Sequence, residues 1–403
     1  MPLTSLEAIR QAAPTIAPYT HKTPFLFSDV LSRVCHKEAF VKCEIFQRTG
    51  SFKMRGASHC ILKNLAVAKK NGVVAASAGN HAQAVALMSS LTGIKATIVM
   101  PSFTPPIKVQ HTQRWGADIK LVGSIYDESY EHALELAKEH GYLFVHPFKD
   151  ADVMAGQGTI GLEMAADPLF QGCEAVVIPI GGGGLAVGIA TALRALSPKT
   201  KIYGVTPRNA PATYESFKAG KQIPLDVKMT LAEGTANKRP DDVMLAELRN
   251  LLDDVFMLSE ESIANGIALI AEESKMVLEG SGALGVAALL EDKIPEKKVA
   301  LILSGGNIDL PAFSTVLHRG LVEQGRLTRI TVRISDRPGG LHAVTQILAE
   351  KRANILQVFH QRSSLKAALG ETEIDVDMET KGPSHTMEIL QALKERGFQV
   401  NRE

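Results

Sequence analysis

Neither charge sign is in excess, the cysteines are few and unpaired in spacing, and no long apolar run occurs; each lack removes a class of function. With 44 Lys plus Arg against 43 Asp plus Glu, the chain has no field strong enough to gather a polyanion, so nucleic acid is not an expected partner. The four cysteines, Cys35, Cys43, Cys60 and Cys173, form no C-x-x-C pair. That argues against a disulfide framework or a cysteine zinc site and for ordinary buried thiols in a reducing, cytoplasmic setting. No apolar run approaches the roughly 18 to 20 residues of a membrane helix, and the N-terminus opens on polar Thr4 and Ser5, so neither a membrane nor export is expected. Small molecules are the expected partners. A length of 403 residues exceeds one ordinary core and predicts two or three domains.

What is present, from about residue 40 to 310, is an alternation of short β-branched apolar runs with amphipathic stretches. That pattern belongs to strands joined by crossover helices in a parallel sheet, and the fold class is α/β. Strands are expected at 72–76, 95–100, 119–122, 143–145, 175–180, 202–205 and 299–303. Three of them run into unusual loops: Ser77-Ala78-Gly79-Asn80-His81, Gly181-Gly182-Gly183-Gly184 and Ser304-Gly305-Gly306-Asn307. In open parallel sheets ligands bind beyond the C-terminal ends of the strands, so these loops are expected to converge on one crevice. A helical, charge-bearing segment at 317–327 marks a boundary. Beyond it the order is strand 329–335, helix 338–351, strands 355–361 and 371–379, helix 386–396 and a short strand 398–400, the β-α-β-β-α-β order of a ferredoxin-like module.

In Ser51-Phe52-Lys53-Met54-Arg55-Gly56 a lysine follows a potential N-cap serine and falls in the first turn of a helix. A cation there opposes the helix dipole, so the site favours a neutral amine, the form that attacks an aldehyde. A surface lysine is the alternative. Four consecutive glycines before a helix starting near Leu185 bare backbone N–H groups suited to a phosphate dianion. Leu185-Ala186 stands where a P-loop requires Gly-Lys-Ser/Thr, and no acidic residue follows at the ribose distance of a dinucleotide site. A phosphate without a dinucleotide remains. Asn80 and the Ser77–His81 backbone suit a carboxylate and a ring hydroxyl, with simple capping as the alternative and His81 the weakest candidate. Ser304, followed by two glycines, can approach a flat ligand closely.

Together these segments, in this order, resemble the fold-type II pyridoxal-phosphate family of serine/threonine dehydratases and serine racemases, over about residues 5–320. The resemblance implies pyridoxal 5'-phosphate as cofactor and dehydration and deamination of L-threonine to 2-oxobutanoate and ammonia, or of L-serine to pyruvate. It implies that Lys53 carries the cofactor as a Schiff base and is the catalytic base. Phe52 would pack on the ring, Asn80 meet the ring hydroxyl, Gly181 to Leu185 hold the phosphate and Ser304 meet the pyridine nitrogen. Ser77, Ala78, Gly79, Asn80 and His81 would line the substrate site. A serine at the ring nitrogen does not keep it protonated, which favours elimination over transamination.

Two departures refine this. Lys42 to Gly50 looks like the racemase branch, but racemisation needs a proton carrier where this chain has Ala78. Thr206-Pro207-Arg208-Asn209-Ala210-Pro211-Ala212 lacks the carboxylates that a divalent cation would need, so no metal is expected there. Glu233 and Glu279 are possible pocket residues, with solvated or capping roles as alternatives. Asp336-Arg337-Pro338-Gly339-Gly340-Leu341 turns sharply into a helix, and residues 328–403 resemble the ACT domain, a family of amino-acid-sensing modules. An amino-acid effector would then sit at Asp336, Pro338, Gly339, Gly340 and Leu341, although a dimerisation element that binds nothing is the alternative. The expected organisation is a catalytic domain at 1–320, with a smaller subdomain about 50–148, and a regulatory domain at 328–403, assembled as a homodimer or homotetramer.

Overall fold

Runs of residues buried on both faces build the parallel strands. Ala75-Ala76, Val176-Val177-Ile178 and Ala300-Leu301-Ile302 are all fully covered, as strands flanked by helices on both sides must be. The structure, a computed structural model, describes residues 2–361, 368 and 370–402. Its contacts divide the chain into Met1–Ile308 and Asp309–Glu403.

The first unit holds two parallel sheets. Strands β1 (Phe25–Phe27), β2 (Glu38–Cys43), β7 (Ala175–Pro179), β8 (Lys201–Pro207), β9 (Asp254–Leu258) and β10 (Lys298–Leu303) form a six-stranded sheet ordered β1-β2-β10-β7-β8-β9. Only β1 runs antiparallel to its neighbour. Strands β3 (Val73–Ala76), β4 (Ala96–Met100), β5 (Asp118–Leu121) and β6 (Leu143–Phe144) form a smaller, fully parallel sheet ordered β5-β4-β3-β6. Each sheet has its own apolar core.

Helices Lys53–Lys63 and Ala151–Ala165 pack closely. A Cβ on Gly156 would lie 2.6 Å from the Arg55 carbonyl, so only glycine permits this approach. Arg55 is 1% exposed and Glu44 0%, a burial that charges tolerate only when fully paired. Arg55 Nε and Nη2 donate to Glu44 at 2.8 and 2.9 Å, and Nη1 donates to Glu163 at 2.6 Å. Buried Lys42 donates to Glu163 and to the Thr23 carbonyl. This neutral quartet anchors the helix that begins with Lys53.

The second unit contains helix Leu310–Glu323 and strands β11 (Leu327–Ser335), β12 (Asn354–Gln361), β13 (Glu371–Glu379) and β14 (Gln399–Arg402), ordered β12-β13-β11-β14 and all antiparallel. Helices Gly340–Glu350 and Pro383–Glu395 pack on this sheet around Ile330, Val332, Val344, Ile347, Val376 and Ile389. The β-α-β-β-α-β order is that of a ferredoxin-like module. Residues 362–367, 369 and 403 of the 328–403 segment lie outside the described residues.

Several expectations need correction. The sequence pattern marks no strand at β1, β2 or β9, yet all three form. The segment 317–327 is not one helix, because the helix spans Leu310–Glu323 and Leu327 already pairs with Glu379. Ser51 is not an N-cap: it bridges to Gly305, and Phe52 precedes the helix without a side-chain cap. The Phe52 N–H is taken by the Ser304 carbonyl at 3.0 Å, so an isolated bridge to a distant loop, not a local serine, sets this helix start.

Candidate active site

The three unusual loops do follow strands: Ser77–Gly79 follows β3, Ile180–Gly183 follows β7 and Ser304–Asn307 follows β10. Helices Asn80–Thr92 and Gly184–Leu196 start directly after the first two, so their leading N–H groups have no intrahelical acceptor. Gly183 has φ +96°, a conformation that a side chain would strain.

Lys53 is the first residue of its helix, and its Nζ donates to the Pro147 carbonyl at 2.7 Å. The next residue, Phe148, lies against the glycine loop: a Cβ on Gly182 would meet its ring at 2.4 Å, and one on Gly184 its carbonyl at 2.6 Å. The amine and the glycine loop thus flank one pair of adjacent residues. Burial pushes the Lys53 amine down to about 8, against a smaller opposing pull from Glu279. Phe52 packs on the core of the larger sheet, its ring 5.1 Å from the Lys53 amine.

His81 Nε2 meets the Val145 carbonyl at 2.8 Å, while its Nδ1 is buried without a partner. Burial, helped by Lys53, pushes His81 down to about 3, and His146 is likewise pushed to about 4. Burial thus favours the neutral form of both rings. Ser77 Oγ accepts from the Gly79 N–H at 3.2 Å, and Ala78 packs on the core of the smaller sheet. Asn80 Nδ2 donates to Glu279 at 2.7 Å, and Asn80 Oδ1 accepts from Asn307 Nδ2 at 2.8 Å. Burial lifts the Glu279 carboxyl to about 7. Ser304 is buried, and Gly305, next in the chain, sits against the Glu279 carboxyl.

The structure therefore brings Lys53, Asn80, Glu279, Asn307 and Ser304 into one cluster, with the glycine loop reached through Phe148. Glu233 instead forms an exposed ion pair with Lys108 at 2.8 Å. Pro147 and Phe148 were not anticipated, since a backbone carbonyl and a lone phenylalanine carry no sequence signal. Among the described residues no group of three or more His, Cys, Asp or Glu side chains is placed to hold a metal. In the second unit Asp336 to Gly339 form an exposed turn into helix Gly340–Glu350, with Gly339 at φ +97° and the Asp336 N–H donating to the Gly370 carbonyl at 2.9 Å.

Residues 16–305 match the family described as pyridoxal-phosphate dependent enzyme. The chain belongs to that family. Its cofactor is pyridoxal phosphate, and the donor set fits it: a weakly basic amine at one side, and at the other a loop of backbone donors with no room for side chains. Residues 328–395 match the ACT domain. An L-threonine ammonia-lyase of Thermotoga maritima is 43% identical over 397 residues, covering 98% of each chain. One from Geobacter sulfurreducens is 40% identical over 395 residues, again 98% of each. Among solved structures, a threonine deaminase from T.th. aligns with TM-score 0.71 and 40% identity over 76% of this chain and 99% of that one. A maize serine racemase aligns with TM-score 0.73 and 34% identity over 80% and 99%.

Proposed function

We propose that this chain is a threonine ammonia-lyase, dehydrating and deaminating L-threonine to 2-oxobutanoate and ammonia and L-serine to pyruvate. Catalysis is assigned to residues 1–320, with the subdomain at about 50–148, and regulation to the ACT module at 328–403. The observation that carries the reading is the placement of the Lys53 amine and the glycine loop on either side of Pro147-Phe148. Two relatives of that name, similar over nearly the whole chain, support it.

When bound, pyridoxal phosphate supplies an aldehyde for the substrate amine and a conjugated ring that draws electrons from the α-carbon. Lys53 is proposed as the residue that captures the group and then accepts the α-proton at Nζ. An amine held near 8 spends a useful fraction of time neutral at physiological pH. Gly181 to Gly184 and Leu185 would hold the phosphate through backbone N–H groups at the start of helix Gly184–Leu196. Asn80 would donate to the ring hydroxyl, and Ser304, uncharged, would meet the ring nitrogen without fixing a proton there. Ser77, Gly79, Asn80 and His81 would hold the substrate carboxylate, and Phe52 would pack on the ring. Ala78 offers only a methyl group where racemisation would need a proton carrier, so substantial racemisation is not expected.

An amino-acid effector is assigned to the turn Asp336, Pro338, Gly339, Gly340 and Leu341, acting through unequal affinity for two states of the enzyme. The assembly is assigned as a homodimer or homotetramer in the cytoplasm, a setting consistent with four free thiols. Steady-state assay on L-threonine and L-serine, with chiral analysis of residual substrate, tests the reading. It expects 2-oxobutanoate or pyruvate with equimolar ammonia and no D-enantiomer. Turnover that requires a second nucleophile, or accumulation of D-serine, would overturn it.

A further inference from the structure

Asn80 is held at both ends. Its Nδ2 donates to Glu279 Oε1 at 2.7 Å, its Oδ1 accepts from Asn307 Nδ2 at 2.8 Å, and the same Asn307 Nδ2 donates to the Thr49 carbonyl at 2.7 Å. The order has a direction. A backbone carbonyl only accepts, so Thr49 fixes Asn307 as the donor, and Asn307 fixes the oxygen of the Asn80 amide on its own side. Flipping Asn80 would set two NH2 groups against each other at one end and two oxygens at the other. The Glu279 carboxyl would not enforce this orientation alone: burial holds it near 7, and in its acid form it could donate to a flipped amide. The Thr49–Asn307 end breaks that tie.

The backbone reinforces the arrangement. The Glu279 N–H donates to the Gly305 carbonyl at 3.1 Å, and the Gly306 N–H donates to the Gly50 carbonyl at 2.9 Å. A Cβ on Gly305 would lie 2.3 Å from Glu279 Oε1 and 3.3 Å from Asn80 Nδ2, and one on Gly50 would lie 2.5 Å from Asn307 Oδ1. Glycine at both places leaves room for the side-chain chain. An amide NH2 has two hydrogens, and Glu279 takes one from Asn80.

We propose that Glu279 and Asn307 are positioning residues that clamp the Asn80 carboxamide so that its second Nδ2 hydrogen is presented to the ring oxygen of the coenzyme. This rests on the assignment of Asn80 to the ring hydroxyl. Glu279 acts as an acceptor and Asn307 as a donor, and neither contacts the reacting atoms.

The test uses the full-length protein, stripped of coenzyme and titrated with pyridoxal phosphate. The readouts are the dissociation constant and absorption spectrum of the bound coenzyme, with thermal unfolding of the apoenzyme as the check on folding. Asn80→Ala weakens binding about tenfold and shifts the spectrum, as expected for one oriented hydrogen bond. Glu279→Ala and Asn307→Ala each reproduce most of that loss. Glu279→Gln, whose amide oxygen still accepts from Asn80, stays within about threefold of the parent. In the Asn80→Ala background, Glu279→Ala adds nothing further. A normal affinity and spectrum for Asn80→Ala would overturn the assignment on which the clamp rests. A defective Asn80→Ala beside normal Glu279→Ala and Asn307→Ala would overturn the clamp and leave the assignment standing. Additive losses in the double variant would also overturn it. Asn307 is exposed, so its variant tests the clamp even if Glu279→Ala fails to fold.

Discussion

Replacing Lys53 with methionine should stabilise the coenzyme-free protein while abolishing its use. Burial lowers the Lys53 amine from its ordinary 10.5 to about 8, a penalty on the order of 3 kcal/mol at neutral pH. The Lys53 side chain is only partly covered, and screening by solvent trims the penalty to about 2 kcal/mol. Losing the hydrogen bond to the Pro147 carbonyl returns about 1 kcal/mol. The net gain for apo Lys53→Met at pH 7 is about 1 kcal/mol. The sign follows from linkage: the folded state releases the proton first, so the penalty is full below pH 8 and fades as the pH rises towards 10.5. The advantage of the variant should shrink by about 1 kcal/mol between pH 7 and pH 9. Urea unfolding followed by fluorescence reads this in the right unit, because the single tryptophan, Trp115, lies in Met1–Ile308. A variant less stable than the parent at pH 7, or a difference that does not change with pH, would refute the reasoning.

The same amine predicts that pyridoxal phosphate is captured faster as the pH rises through about 8, because only the neutral form attacks the aldehyde; stopped-flow absorbance measures it. Gly182→Ala places a Cβ 2.4 Å from the Phe148 ring and should destabilise the apoenzyme by about 1–3 kcal/mol, with a weaker coenzyme dissociation constant by titration. Arg55→Met leaves Glu44 and Glu163 without their guanidinium and should cost about 3–5 kcal/mol in denaturant unfolding.

Much of this fold was legible because strands buried on both faces leave uninterrupted apolar runs, as at Ala175–Pro179 and Lys298–Leu303. Strand β2 escaped because Lys42 breaks its run, and only the tertiary partner Glu163 explains a lysine at that depth. Strand β1 has three residues, two of them exposed, too few to show a period. Strand β9 is only intermittently buried. The site was legible where function needs special backbone, as in the glycine loop. It was not legible where the contact is a carbonyl, as at Pro147, or a pairing across the chain, as between Phe52 and Ser304. Glu279 was visible only as a possible pocket residue, because its bond to Asn80 spans 199 positions.

We propose that Lys53 is the amine that holds the coenzyme, facing the glycine loop across Pro147-Phe148. Borohydride reduction of the holoenzyme, digestion and mass spectrometry test it most directly. One pyridoxyl adduct is expected, on Lys53, and none in Lys53→Met. An adduct on another lysine, or none on a protein incubated with pyridoxal phosphate, would contradict it.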